Sequence, residues 1–151
     1  MGIPQFMPSS YRSYAVDFNR DGRRDLWGSA TDAIGSVANY LKAYGWVAGR
    51  PVAVLARLPD EAEQDLSAYV STSLKPEWNV EELQSLGLVP ADRLSPSAQA
   101  ALLAVEGEDG REYWLGFDNF YAITRYNRSL HYALAVYQLS REIRSARRVK
   151  S

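Results

Sequence analysis

Apolar residues recur along this chain with two different periods, and the change between them organises it. Ala33, Ile34, Val37, Ala38, Tyr40 and Leu41 return at intervals of three and four, the spacing of an amphipathic helix. Thr31 or Asp32 is placed to cap its start, and Gly45 in KAYGW to end it as the residue just past the last turn. Upstream, Ser9 and Ser10 are placed to cap a short helix through Tyr11 and Tyr14. From Gly49 the pattern shortens. RPVAVLARL is β-branched and alternating, a strand entered through Pro51 and closed by Pro59. Asp60 to Asn79 carries acids and few large apolar residues, the composition of a loop with at most one helical turn. NVEELQSLGLVP reads as a short helix capped by Asn79, with Val80 and Leu83 inward and Gly87 at its end. Asp92 to Pro96 is a loop. Ala101–Glu106 and Glu112–Phe117 form a hairpin over Gly107–Gly110, signalled by the dipeptide Asp109-Gly110. Finally, Ser129 caps a long helix with Tyr132, Ala133, Val136, Leu139 and Ile143 on one stripe. Its basic end, Arg141 to Lys150, suits the negative pole of the helix dipole and reads as a solvated helix end.

Between the first two helices lies DFNRDGRRD, Asp17 to Asp25. With Asp17 as position one, Asp17, Asn19, Asp21 and Asp25 occupy positions one, three, five and nine of an EF-hand-type calcium loop, with Gly22 at position six. Arg23 takes position seven, where the ligand is a backbone carbonyl and the side chain is free to face solvent. A hard cation wants six to eight oxygens at about 2.3–2.6 Å, and a coiled loop aims alternate residues at one centre. Position twelve departs from the pattern, being Gly28 rather than Glu; Asp32 is the nearest carboxylate able to replace it. The alternative is a solvated turn rich in Asp, Asn and Gly that binds nothing. Leu26 and Trp27 are expected to pack the loop down.

The chain has 151 residues, a formal net charge of -1 and no cysteine. That length holds one domain with a core, or one carrying a small insert. Near-neutral charge gives no global attraction to nucleic acid or anionic membrane. Without cysteine, disulfides, thiolate nucleophiles and zinc–thiolate sites are excluded. No apolar run reaches the ~18 residues of a membrane-spanning helix. The 10 Tyr and 4 Trp suit flat, half-polar binding surfaces such as sugar clefts. His131, the single histidine, has no second histidine to help it ligate a metal. The opening MGIPQFMPSS is dense in apolar residues for a chain start, which leads us to expect that a preceding part of the domain is missing.

Three segments, GIPQFMPSSYRSYAVDFNRDGRRDLW, DAIGSVANYLKAYGW and NFYAITRYNRSLHYALAVYQL, resemble the lytic murein transglycosylase B family. The resemblance implies an α+β fold: a mostly helical lysozyme-like domain portion, residues 1–48 and 118–151, carrying a small β-containing insert, residues 49–117. It implies an EF-hand-like calcium loop longer than usual, over 17–32, with structural Ca2+, Asp32 as terminal ligand and Asp25 acting through water. It implies cleavage of peptidoglycan glycan strands between N-acetylmuramic acid and N-acetylglucosamine, without water, leaving a 1,6-anhydro ring, in the bacterial periplasm. Gln5 in the PQF motif, Tyr40, Tyr126 and Tyr132 match residues lining the glycan cleft, with Phe6 and Asn127 as further candidates. Tyr126 and Tyr132 differ by six and cannot share a helical face, so the first must precede the last helix and the second lie in its first turn. Core packing is the alternative for each tyrosine; for Gln5, lying between apolar neighbours, burial without partners would be costly.

One departure stands out. The family's catalytic glutamate lies upstream of the PQF motif, and Glu61, Glu63, Glu77, Glu81, Glu82, Glu106, Glu108, Glu112 and Glu142 do not sit in its acid motif. The chain is therefore expected to be the C-terminal portion of such an enzyme, partnered by a missing N-terminal part. Two rival readings stand beside it: a calcium-stabilised module that holds glycan without cutting it, and a remnant with no role of its own.

Overall fold

Proline decides where the first helix begins. In the computed structural model of this chain, which describes residues 1–59 and 65–149, α1 spans Pro8–Tyr14. Pro8 sits in the first turn, where a missing N–H costs nothing. Met7 is the N-cap and offers no side-chain bond, so Ser9 and Ser10 lie inside the helix rather than capping it. α2 spans Ala30–Ala43, and its cap is Ser29, whose hydroxyl accepts from the Asp32 N–H at 3.2 Å. The sequence placed that cap at Thr31 or Asp32; the helix starts earlier because the Asp32 carboxylate is engaged with the loop. At the other end Trp46 N–H reaches the Leu41 carbonyl at 2.9 Å and Gly45 N–H the Lys42 carbonyl at 3.2 Å. With Gly45 at φ 97°, this is the Schellman closure expected of a glycine just past the helix.

These two helices and the loop between them form one compact unit, Met1–Val47. Leu26 is fully buried in it, and the Ile3 N–H donates to the Leu26 carbonyl at 2.7 Å. Trp27 is not buried as expected: it is 57% exposed and touches only the edge of the packing through the Tyr11 ring, 5.8 Å away. Gly35, on α2, lies under Phe18 of the loop, where an added Cβ would come within 2.6 Å of the Phe18 Cβ. Helix propensity alone favours Gly35→Ala by about 1 kcal/mol. Overpacking against a Cβ rather than a flexible side-chain tip costs about 1–3 kcal/mol. Gly35→Ala is therefore expected to destabilise the unit by roughly 1 kcal/mol, measured as a lowered urea midpoint at unchanged slope.

The second unit, Ala48–Ser151, is built on an antiparallel sheet of β1 (Ala53–Arg57), β2 (Trp78–Asn79), β3 (Val89–Pro90), β4 (Gln99–Gly107) and β5 (Gly110–Gly116), in the order β2-β4-β5-β1-β3. Pro90 is tolerated because β3 is an edge. The short helix α3, Val80–Ser85, begins at Asn79 as expected, with the Glu82 carboxylate accepting from the Asn79 N–H at 2.8 Å. Val80 and Leu83 are fully buried and join Ala100, Leu102 and Leu115 in the core. Alternation turns Leu103 and Trp114, paired across β4 and β5, to the opposite face. There α4, Asp118–Tyr126, brings Phe120 over Gly116, whose missing Cβ admits it: a Cβ would lie 2.9 Å from Leu103 and 3.0 Å from Phe120. A sheet covered on both faces explains why Ala100 to Leu103 are buried without alternation.

Several sequence expectations shift here. The hairpin strand starts at Gln99, and the register pairs Gly107 with Gly110, so Glu108 and Asp109 form the turn centre. Gly110, at φ 114°, follows the turn in the left-handed position that a two-residue loop plus glycine requires. Of the stretch read as loop, residues 60–64 lie outside the described residues. The remainder buries Leu66 and Leu74 and ends in β2, and Val70 bridges Leu102. The last stretch holds two helices, with α4 preceding α5, Leu130–Val149. Ser129 caps α5 as expected, its hydroxyl accepting from Tyr132 N–H at 3.2 Å. The apolar stripe is not a buried face: α5 buries Ala133 and Leu134, whereas Val136, Leu139 and Ile143 are exposed. Residues 141–149 are all exposed, which agrees with the solvated-end reading of the basic run.

Candidate functional site

The loop between α1 and α2 gathers its acids around one point. Asp17, Asp21 and Asp32 each place a carboxylate oxygen so that the three lie within 4.8 Å of one another, a separation that one hard cation bridges. Gly22 turns the loop with φ 90°, and Arg20 also takes a left-handed φ of 64°. The coil is stitched by its own side chains. The Asp17 carboxylate accepts from the N–H groups of Asp21 at 3.1 Å and Gly22 at 2.8 Å. Asn19 Oδ1 accepts from Asp21 N–H at 3.0 Å, and Asp21 Oδ1 from Arg23 N–H at 2.9 Å. Arg23 is exposed, as position seven allows. Each carboxylate oxygen of Asp17 and Asp21 accepts one hydrogen bond and keeps a second lone pair for a metal. Asp25 stands apart from this group: its Oδ1 accepts from Trp27 N–H at 2.9 Å and Gly28 N–H at 2.8 Å, which directs the carboxylate along its own downstream turn.

Asp32 is the buried acid of the group, with no exposed surface. Its Oδ1 accepts from the Phe18 N–H at 2.9 Å and the Asn19 N–H at 3.2 Å, and its Oδ2 from the Asp25 N–H at 3.1 Å. Burial pushes this carboxyl up, but the N–H groups of Asn19, Asp25 and Phe18 and the Ser29 hydroxyl outweigh it and hold the group below the ordinary carboxylate value. From the first turn of α2, Asp32 thus ties down both the entry and the exit of the loop.

Sequence reasoning missed two further residues of α2 that hold the chain entering the loop. Ser36 Oγ accepts from the Val16 N–H at 2.9 Å, and Asn39 Nδ2 donates to the Tyr14 carbonyl at 3.1 Å. Asp32, Ser36 and Asn39 form a polar seam at spacings of four and three within an otherwise apolar-periodic helix, and that spacing was the available signal. The seam clamps the extended chain that leads from α1 into the acidic coil.

The residues matched to a glycan cleft divide. Phe6 and Tyr40 are buried, 3% and 8% exposed, and belong to an aromatic cluster with Tyr14 and Tyr44. Tyr40 lies 5.8 Å from Phe6, 5.0 Å from Tyr14 and 4.5 Å from Tyr44, ring to ring. Tyr40 thus sits in the packed environment that was its alternative, and Phe6 shares it. Gln5 is exposed rather than buried, so the argument from costly burial does not apply. Its φ of 54° is the left-handed region, disfavoured for a residue with a Cβ by roughly 1–2 kcal/mol. Its Nε2 donates to the Gly2 carbonyl at 2.8 Å. Strain of this kind collects at functional sites.

In the second unit Tyr126 ends α4 and Tyr132 lies in the first turn of α5, the arrangement their spacing of six required. Burial, and secondarily the neighbouring Tyr132, raise the Tyr126 phenol above its ordinary value, so the two rings share one neighbourhood. Asn127 between them has its Oδ1 engaged by the Ser129 N–H at 3.1 Å, and builds the helix–helix turn. His131 is exposed. Every described glutamate is exposed as well; Glu61 and Glu63 lie outside the described residues. A general acid needs burial that raises its pKa, and Asp32, the buried carboxylate, is shifted the other way.

Comparison with known proteins then gives a consistent answer. A family model described as "Transglycosylase SLT domain" matches residues 1–141. The chain is 47% identical over 147 residues to the membrane-bound lytic murein transglycosylase B of Escherichia coli K12, covering 97% of this chain and 38% of that protein. Among solved structures it is similar to the Escherichia coli lytic transglycosylase Slt35 in complex with calcium, at a TM-score of 0.83 and 47% identity, over 97% of this chain and 45% of that one. It is also similar to Pseudomonas aeruginosa SltB3 in complex with NAG-NAM-pentapeptide, at a TM-score of 0.76 and 45% identity, over 90% of this chain and 36% of that one. The chain thus spans less than half the length of each.

Proposed function

The chain belongs to the transglycosylase SLT domain family, and from that premise we propose that it is part of a peptidoglycan lytic transglycosylase of the bacterial periplasm. The observation that carries the reading is the near-complete match of this chain to lytic transglycosylases, joined to an acidic coil like that expected of the family. The reaction breaks the bond between N-acetylmuramic acid C1 and the bridging oxygen of N-acetylglucosamine. A carboxylic acid gives its proton to that oxygen, then as carboxylate takes the proton of the muramic C6 hydroxyl while that oxygen bonds to C1. The products are a free N-acetylglucosamine hydroxyl and a 1,6-anhydromuramic end; no water is consumed. We assign the acid to polypeptide outside these 151 residues, because every described glutamate is exposed and the buried Asp32 is held ionised.

Within this chain, the proposed roles are support and glycan contact. Asp17, Asp21 and Asp32, with Asn19 and the Arg23 carbonyl, would hold Ca2+, with Asp25 further out; the ion would neutralise the clustered carboxylates and stiffen the loop. Gln5, Tyr126 and Tyr132 would give hydrogen bonds and ring faces to sugar. Phe6, Tyr40 and Asn127 are positioning residues in this scheme, packed or bonded behind such contacts. The assignment of 1–48 and 118–151 to one lysozyme-like domain, with 49–117 as its insert, belongs to the same proposal.

Gln5→Ala is expected to weaken binding to soluble glycan strands about tenfold, as for a lost hydrogen bond or two, with an unchanged circular dichroism spectrum. Unaltered affinity would remove Gln5 from the site. The reading as a whole is tested by incubating the chain with calcium on isolated sacculi and looking for 1,6-anhydromuropeptides by mass spectrometry. The expected result is none from this chain alone and release once the relatives' remaining polypeptide is supplied. Release by this chain alone would refute the external acid. Firm binding without release under either condition would favour a calcium-stabilised glycan-binding module.

A further inference from the structure

The second unit holds a cavity of about 680 Å3 between the start of β1, the loop over residues 92–98 and the first turn of α4. That is within the roughly 300–1,000 Å3 range of small-ligand sites. Its walls include Pro51, Val54, Leu94, Ala98 and Phe117, and its lining includes four charges, Arg50 and Arg93 with Asp92 and Asp118. All four are exposed and so stand toward its mouth. Among the described residues neither guanidinium is paired with a carboxylate. The floor is held from behind: Asn119, 1% exposed, donates its amide N–H to the Arg50 carbonyl at 3.1 Å, which fixes the β1 entry against α4.

The balance of charges selects the ligand. A purely anionic ligand would meet Asp92 and Asp118, and a purely cationic one the two arginines. A wholly apolar one would strip water from four charges without replacing it. A ligand carrying carboxylates and an amine, with small apolar groups between, satisfies every part of the lining. Arginine forks are suited to bidentate capture of a carboxylate. We propose that this cavity binds a short zwitterionic peptide, a chemistry the glycan side chains of the proposed substrate share with free peptides. The source of the peptide, though not the cavity's chemistry, rests on the function proposed above.

The test is a titration of the 151-residue chain, followed by amide chemical shifts, with the free peptide Ala-Glu-Lys-Ala and separately with a NAG-NAM-pentapeptide. Shifts are expected at Ser95, Gln99 and Asn119 with either probe. Arg50→Glu and Arg93→Glu should each weaken binding about tenfold, as should amidating the peptide's carboxylates. Ser95→Trp, on the exposed loop, should occlude the mouth without disturbing the core. Tighter binding of the glycan-linked probe would identify the peptide as a glycan substituent, and equal binding a free peptide. Shifts confined to other residues, or affinities indifferent to all three substitutions, would overturn the inference. NAG-NAM without peptide supplies the separation: if it binds while neither peptide probe reaches the cavity, the glycan reading stands and this inference falls. If the peptides bind and the bare disaccharide does not, the reverse holds.

Discussion

Asp32→Asn is expected to lower the melting midpoint of the Met1–Val47 unit by about 10 °C, the largest effect of any single-atom change in this chain. Asparagine preserves the shape of the side chain but replaces one acceptor oxygen with an NH2 group. At Oδ2 that puts a donor against the Asp25 N–H, 3.1 Å away, and at Oδ1 it does the same against Phe18 and Asn19. Either rotamer leaves a buried donor facing a donor, and the loop loses a buried group that joins its two ends. The direct readout is hydrogen exchange: the amides of Phe18, Asn19 and Asp25 should lose protection, while those of β4 and β5 keep theirs. Ser36→Ala, which removes a single acceptor from the Val16 N–H, should have a clearly smaller effect. Equal protection of the loop amides in Asp32→Asn and the parent would show that the carboxylate does not hold the coil.

The same group sets an acid limit. Its folded pKa lies below the ordinary value of 3.8, so the unfolded chain binds this proton more readily than the folded one. The contribution of Asp32 is therefore fully present above pH 3.8 and is lost as pH falls through the lower folded value. The midpoint of the parent should drop steeply in that acid window, and the drop should be shallower in Asp32→Asn, which has no proton to gain there.

Calcium should raise the midpoint of this unit and a chelator should reverse the rise. A ligand that binds only the folded state at a hundredfold excess over its Kd adds about 2.7 kcal/mol, on the order of 10 °C for a unit of this size. The oxygens of Asp17, Asp21 and Asp32 already converge, so little rearrangement opposes binding. Three carboxylates so close repel one another, and a divalent cation removes that cost together with adding its own bonds. Asp21→Asn should abolish most of the rise while leaving the calcium-free midpoint nearly unchanged, because Asp21 is exposed and its Oδ1 bond to Arg23 N–H survives in asparagine. Asp25→Asn should matter less to calcium than Asp21→Asn, since its carboxylate is turned to Trp27 and Gly28. A midpoint indifferent to calcium and chelator would return the loop to a plain Asx-rich turn.

Much of this chain is dictated locally, and there the sequence was sufficient. Gly45 and Gly87 end their helices with positive φ because only glycine takes that conformation without strain. Asn79 and Glu82 start α3, and Ser129 starts α5, because an oxygen side chain next to orphan N–H groups needs no tertiary partner. The order of acids in DFNRDGRRD specified a coil that folds on its own backbone, and the spacing of Tyr126 and Tyr132 put them on either side of a helix break. Choices between locally equivalent answers belonged to the tertiary structure. Ser29, Thr31 and Asp32 are all good caps; Ser29 took the role because loop amides beyond the helix claimed the Asp32 carboxylate. The spacing put Asp25 and Asp32 at different positions of one loop, and the path of the coil turned Asp32 inward and Asp25 along the chain. Phe6 and Tyr40 became core while Gln5 became surface, and the stripe Val136, Leu139 and Ile143 stayed exposed, because burial depends on which distant segment arrives opposite a face. Periodicity records that a face is apolar; the partner that covers it is a long-range contact, and no local pattern encodes it.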